Sequence, residues 1–273
     1  WLLPGSRPPI VPILTILTSH PGPLRPAADH SHSALFGVHM MRILALDMST
    51  GNGSVALLDC DTPNSDAPNN DTVVYQTPIN GGGRSAQMFA VTIDDALRRA
   101  AWEPRSIGLV ALTQGPGSFT GLRTCVTIGK VFAYATGADL VAINTLDVIV
   151  EQLPYSVVSA CAVMDAQRRQ LFAAVYRRAP DGTWKTVAPC EIVDRETLTA
   201  RLHPSTVLTG PALKRLPIRV CPDLRRASPD CWAPCAATVG RLAWKAYQAG
   251  TRNDIWKLQP QYYRPSYAEE GGG

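Results

Sequence analysis

From Met41 onward, short apolar runs alternate with polar, glycine-bearing turns. Residues 42–47 form an apolar run closed by an acid, which reads as a buried strand. Residues 54–59 return after a turn holding Gly51 and Gly53, so the two runs predict a hairpin. Residues 73–76 follow a loop rich in Asn, Asp and Pro and read as a third strand. The period then changes: residues 85–101 place apolar side chains at helical spacing and predict an amphipathic helix, ahead of a fourth strand at 107–112. Beyond it come a glycine-rich loop at 113–120, a helix at 121–136, a short strand at 140–143 and a helix starting near Thr145.

This order, β-β-β-α-β-α-β-α, is that of a ribonuclease-H-like unit. A second copy is expected from about Val157, because residues 159–165 repeat an apolar strand ending in Asp, as residues 42–47 end in Asp47, and residues 170–176 repeat the returning strand. Apolar strands ending in Asp before a turn are common in any fold, so the duplication rests on pattern. Two such halves facing each other predict an α/β, duplicated ribonuclease-H-like architecture of the actin-like, heat-shock-chaperone-like and sugar-kinase-like kind. The expected division is residues 41–152 for the first half and residues 153–273 for the second half and tail.

Residues 1–40 break the pattern with seven prolines and one apolar run, 10–17, interrupted by Pro12. They are expected to be a non-native or disordered extension upstream of Met40 or Met41, and the run is too short to span a membrane. Seven cysteines, an odd number, sit largely in apolar surroundings, which fits reduced thiols and a cytoplasmic setting. Cys231 and Cys235 form a lone C-x3-C pair with no second pair beside it, better read as packing than as zinc ligation. Four of five histidines fall before Met40 and only His203 lies beyond, so triad or histidine-metal chemistry has too few groups. A net charge of +4 is too small to mark a dedicated nucleic-acid binder, and any nucleic-acid contact is expected to be shared with partners.

The most specific string is Gly115-Pro116-Gly117-Ser118-Phe119-Thr120-Gly121-Leu122-Arg123, set between a predicted strand and a predicted helix. Such a turn can aim backbone N–H groups at a phosphate. It is no P-loop, since Leu122 and Arg123 stand where Lys and Ser or Thr are needed. The string is similar to the signature of the TsaB (YeaZ) family. The resemblance extends through residues 43–50, through Met164-Asp165-Ala166 and through the tail Pro260-Gln261-Tyr262-Tyr263-Arg264, covering about residues 41–267. Met48 departs from the Thr usual in the family's opening D-T motif, and Arg84-Ser85 from a common His-Ser or His-Thr pair.

The resemblance implies a non-catalytic subunit of the complex that forms N6-threonylcarbamoyladenosine at position 37 of tRNAs. Such a subunit binds a TsaD-like catalytic protein, with a TsaE-like ATPase as a further partner, tRNA reached through the complex, and a homodimer where TsaD is absent. The metal-binding H-x-x-x-H pair of TsaD has no counterpart in residues 41–273. No metal and no cofactor are assigned to this chain; ATP or ADP would belong to the interface of the complex, and Asp47, Ser49 and Thr50 would be a vestigial nucleotide site. The resemblance favours pairing through helices of the first half.

Gly121, Cys125, Gly129, Ala133 and Gly137 recur every four residues and make a small-residue helix face, which packs either on the chain's own sheet or on a partner. The resemblance favours the partner, making Phe119, Gly121, Leu122, Arg123, Cys125, Gly129 and Ala133 the expected interface. Phe119 reads as an interface anchor or as a plug beneath the loop, and Arg123 as pairing with a partner carboxylate or bracing its own loop. The alternative function is an ATP-using phosphotransferase on the same fold, for which Asp47 and the Ser49-Thr50-Gly51 turn supply only part of the chemistry. A peptidase lacks an assembled nucleophile and base.

Overall fold

A computed structural model describes residues 40–61, 71–79, 85–216 and 224–264. The apolar run of β1 (Met40–Asp47) pairs antiparallel with β2 (Gly53–Asp61), and β3 (Asp71–Ile79) adds to β2. After α1 (Ser85–Arg99) the chain crosses to β4 (Leu109–Gly115), parallel to β1. It crosses again through α2 (Phe119–Thr136) to β5 (Asp139–Asn144), then enters α3 (Thr145–Glu151). The sheet order is β3-β2-β1-β4-β5.

The central strands are apolar on both sides because both faces are covered. Leu44, Leu46, Val110 and Leu112 meet Phe89, Ile93 and Leu97 of α1 and Cys125 and Phe132 of α2. Their neighbours Ile43, Ala45, Leu109 and Ala111 point the other way, onto Val148 of α3 and onto α5 (Ala236–Gln248), through Ala236, Val239 and Ala243. Each such fully buried Leu or Ile contributes about 1.5–3 kcal/mol of transfer free energy.

The second sheet repeats the first in miniature. β6 (Ser159–Asp165), β7 (Gln170–Arg178), β8 (Trp184–Asp194) and, after α4 (Arg195–Arg201), β9 (Val207–Thr209) stand in the order β8-β7-β6-β9. That matches β3-β2-β1-β4 strand for strand, so Asp47 and Asp165 end corresponding central strands. α3 joins the halves: Val148 faces the first sheet, while Leu146, Ile149 and Val150 pack with β6 and β7 side chains.

Two features differ from the sequence expectation. β4 runs to Gly115 rather than stopping at Leu112, because Gly115 still pairs with Asn144 and the Gln114 carbonyl accepts from the Gln261 amide at 2.7 Å. The second half, expected over 153–273, gives its last helix away, since the small residues of α5 let it lie on β1 and β2. Gly240 sits so close to the sheet that a Cβ there would come 2.6 Å from Leu58. The segment 1–39 and Arg84 lie outside the described residues.

Candidate functional site

The glycine-rich loop is seated on the β1–β2 turn, and Asp47 organises that seat. Its side chain is fully buried. Oδ1 accepts from the Ser49 amide at 3.1 Å, the Ser49 hydroxyl at 2.7 Å and the Thr113 hydroxyl at 2.8 Å, tying β1, the turn and β4 together. Oδ2 is buried with no hydrogen-bond partner among the described residues. Burial, only partly offset by the Ser49 and Thr113 bonds, pushes this carboxyl above the ordinary Asp range. The same burial, with the Asp47 charge nearby, raises the Cys125 thiol.

Ser49 passes the constraint on, for its carbonyl accepts from the Ser118 amide at 2.8 Å. The contact is backbone on backbone, which is why glycine recurs in the loop. A Cβ on Gly117 would lie 2.3 Å from the Ser49 carbonyl oxygen, and one on Gly121 would lie 2.0 Å from that of Met48. Gly115 adopts φ +132 beside the Gln261 carbonyl and precedes a cis bond to Pro116. Ser118 then caps α2, its hydroxyl accepting from the Gly121 amide at 3.3 Å. Thr50 turns toward the cleft between the halves and, among the described residues, is bonded within its own turn to Asn52. Of the residues expected to form a vestigial nucleotide site, Asp47 and Ser49 are therefore brought together, but Asp47 is sealed beneath the turn.

The tail closes over the loop from the other side. Phe119 stacks on Tyr262 with ring centroids 4.6 Å apart, and the Arg123 guanidinium lies 4.0 Å from the Phe119 centroid while its Nε donates to the Tyr262 hydroxyl at 2.9 Å. Tyr263 reaches Asn144 and packs beside Phe172 of β7, and Arg264 donates to the Ala166 carbonyl at 2.7 Å and to Gln170. The closing P-x-Y-x-R string thus bridges both halves through side chains. In the sequence that string shows no sign of what it holds, and Thr113, which shares Asp47 with Ser49, carries no recognisable signal.

The small-residue face of α2 corrects the sequence reading. Gly121, Leu122, Cys125, Gly129 and Ala133 are buried against the chain's own sheet, not offered to a partner. A Cβ on Gly129 would come 2.5 Å from Leu112, and the Cys125 thiol donates to the Leu46 carbonyl at 3.7 Å. Gly137 ends the helix with φ 77 as its left-handed cap. Small side chains here let a helix lie close on β1 and β4. Phe119 and Arg123 brace the chain's own loop, though Arg123 stays exposed. What α2 turns outward is Thr120, Arg123, Thr127, Val131 and Tyr134. Val131 is 36% and Tyr134 58% exposed, and on α1 in the same layer Met88 is 41% and Val91 47% exposed. Tyr134 meets Trp256 edge-on at 5.5 Å. Among the described residues no three His, Cys, Asp or Glu side chains come together to hold a metal, and no helix is long and apolar enough to cross a membrane.

These features define a duplicated ribonuclease-H-like protein whose glycine-rich loop is packed by its own backbone. YeaZ from Pseudomonas aeruginosa shares this fold, with a TM-score of 0.63 at 21% identity over 82% of this chain and all of that one. The family profile for TsaD, tRNA N6-adenosine threonylcarbamoyltransferase, matches residues 83–202. The tRNA threonylcarbamoyladenosine biosynthesis protein TsaB of Escherichia coli strain K12 is 27% identical over 244 residues, 84% of this chain and 96% of that protein. TsaB of Bacillus subtilis strain 168 is 26% identical over 137 residues, 50% of this chain and 56% of that protein. The chain resembles the TsaB (YeaZ) family in sequence and in fold.

Proposed function

We propose that this chain is a non-catalytic, cytoplasmic subunit of the machinery that makes threonylcarbamoyladenosine in tRNA, docking on a TsaD-like catalytic protein and supporting it. One observation carries the docking role. α1 and α2 bury one face each in the first sheet yet turn Met88, Val91, Val131 and Tyr134 outward, with Trp256 beside Tyr134. Contiguous exposed apolar side chains mark interaction surfaces more often than scattered ones do. The partner surface is this outer face, opposite the small-residue face that the sequence suggested. A second copy of the chain would use the same helices when the catalytic partner is absent, and a TsaE-like ATPase joins through the complex.

Asp47 supports an accessory rather than a catalytic role. In a phosphotransferase on this fold the strand-end carboxylate would have to reach a substrate, whereas here it is fully buried and spends Oδ1 on three internal donors. The names of the relatives supply the tRNA pathway. The test is threonylcarbamoyl transfer to tRNA, reconstituted with the cognate TsaD-like protein and the other components of the reaction. Transfer is expected only when both this chain and the TsaD-like protein are present. Transfer by this chain without a TsaD-like protein, or full transfer without this chain, would overturn the reading.

A further inference from the structure

We infer that the trough between the two halves binds an unpaired RNA segment directly, an inference that rests on the reading that the chain serves a tRNA-modifying complex. Two cavities of about 600 and 530 Å³ lie on either side of Gly117 and Ser118 and share those residues with Asp165 and Gln167, so they form one continuous trough. Its charged lining is lopsided. Arg123 and Arg264 line one end, Lys214 and Arg215 the other, and Asp165 is the sole carboxylate among the described lining residues. Asp165 is already paired with Arg215 at 3.1 Å. Aromatic rings stand among the cations: Tyr262, 40% exposed, and Phe119 at the Arg123 end, with Tyr263 behind them.

The rim adds an independent observation. Gln167, Arg168 and Arg169, between β6 and β7, take φ values of 63, 49 and 64, three consecutive left-handed residues with no glycine among them. Each such residue costs about 1–2 kcal/mol. The turn keeps all three side chains exposed, and Gln167 lines the trough. Cations that track a phosphate backbone, interleaved with aromatic faces on which bases stack, are the means by which proteins hold single strands. A trough lined this way suits a flexible single strand whose bases are free to stack.

The test is fluorescence anisotropy of an end-labelled, unstructured RNA 12-mer titrated with this chain alone over a series of KCl concentrations. Affinity should fall with salt. The Lys214→Ala/Arg215→Ala double variant should lower the slope of log K against log salt by about 1.4, at about 0.7 per phosphate contact, which is a loss of roughly 25-fold at 0.1 M salt. Lys185→Ala, on exposed β8 away from the trough, should match the parent, and circular dichroism should show all variants folded. No binding at low salt, equal binding of a 12-base-pair duplex, or an equal loss from Lys185→Ala would overturn the inference. Titrating the same variants with the TsaD-like protein keeps the two claims apart. Lost or absent RNA specificity with normal partner binding removes this inference alone, and normal RNA binding with no partner binding removes the proposed docking role alone.

Discussion

At the residue scale, the glycines of the signature loop and of α2 are explained by what their missing side chains would strike. Gly117 and Gly121 meet the carbonyls of Ser49 and Met48, and Gly129 meets Leu112. Gly129→Leu forces branched bulk into that packed contact, where overpacking costs about 1–3 kcal/mol. The expected result is a Tm lower by about 2–4 °C per kcal/mol lost, with partner affinity per folded molecule unchanged; calorimetry and a binding isotherm check both halves of the statement. Asp47 gives a pH signature. Burial raises its folded pKa above the unfolded value near 3.8, so between the two values the folded state holds more protons than the unfolded one. Stability contributed by this group therefore rises as pH falls through the folded pKa, and is lost as pH climbs above it. Asp47→Asn removes the titration, and its stability relative to the parent should be greater at pH 8 than at pH 4, measured by urea denaturation at each pH. The string of glycines was plain in the sequence, but a four-residue spacing of small side chains says only that something lies close. Whether that neighbour is the chain's own sheet or a partner depends on which way the helix is rotated, and only packing settles it.

At the scale of elements, the strands and long helices followed from period and punctuation. The run ending at Asp47 and its repeat ending at Asp165 both became central strands, because a run of apolar residues bounded by turn formers has few other places to go. What the pattern did not reveal was the return of α5 to the first sheet, since an amphipathic helix carries no label for the sheet it will cover. The role of the tail was also hidden, because it makes its contacts as an irregular segment through single side chains and amides. Tyr262→Ala removes a ring stack worth about 0.5–1.5 kcal/mol together with the acceptor of Arg123. The Gln261 amide, bonded to the Gln114 carbonyl, should then exchange with solvent faster while amides of β1 and β4 hold their protection. Unchanged exchange at Gln261 would show that the tail is held without that clamp.

At the scale of the whole molecule, two halves of one repeated strand pattern are joined by α3 and strapped by the tail, and α1 and α2 of the first half keep exposed apolar side chains on their outer side. The resemblance in the sequence drew attention to the helix after the signature, and its small-residue face lies on the chain's own sheet. In the proposed docking the outer face of α1 and α2 engages the catalytic partner, which is tested by calorimetric titration of the TsaD-like protein with the parent and with the Val91→Glu/Tyr134→Glu variant. Both positions are exposed, so the variant should keep the parent's circular dichroism and Tm. Burying two unpaired carboxylates in an apolar contact should weaken association by at least about 100-fold, each 1.4 kcal/mol being tenfold. A folded variant that binds the TsaD-like protein as tightly as the parent would contradict the account.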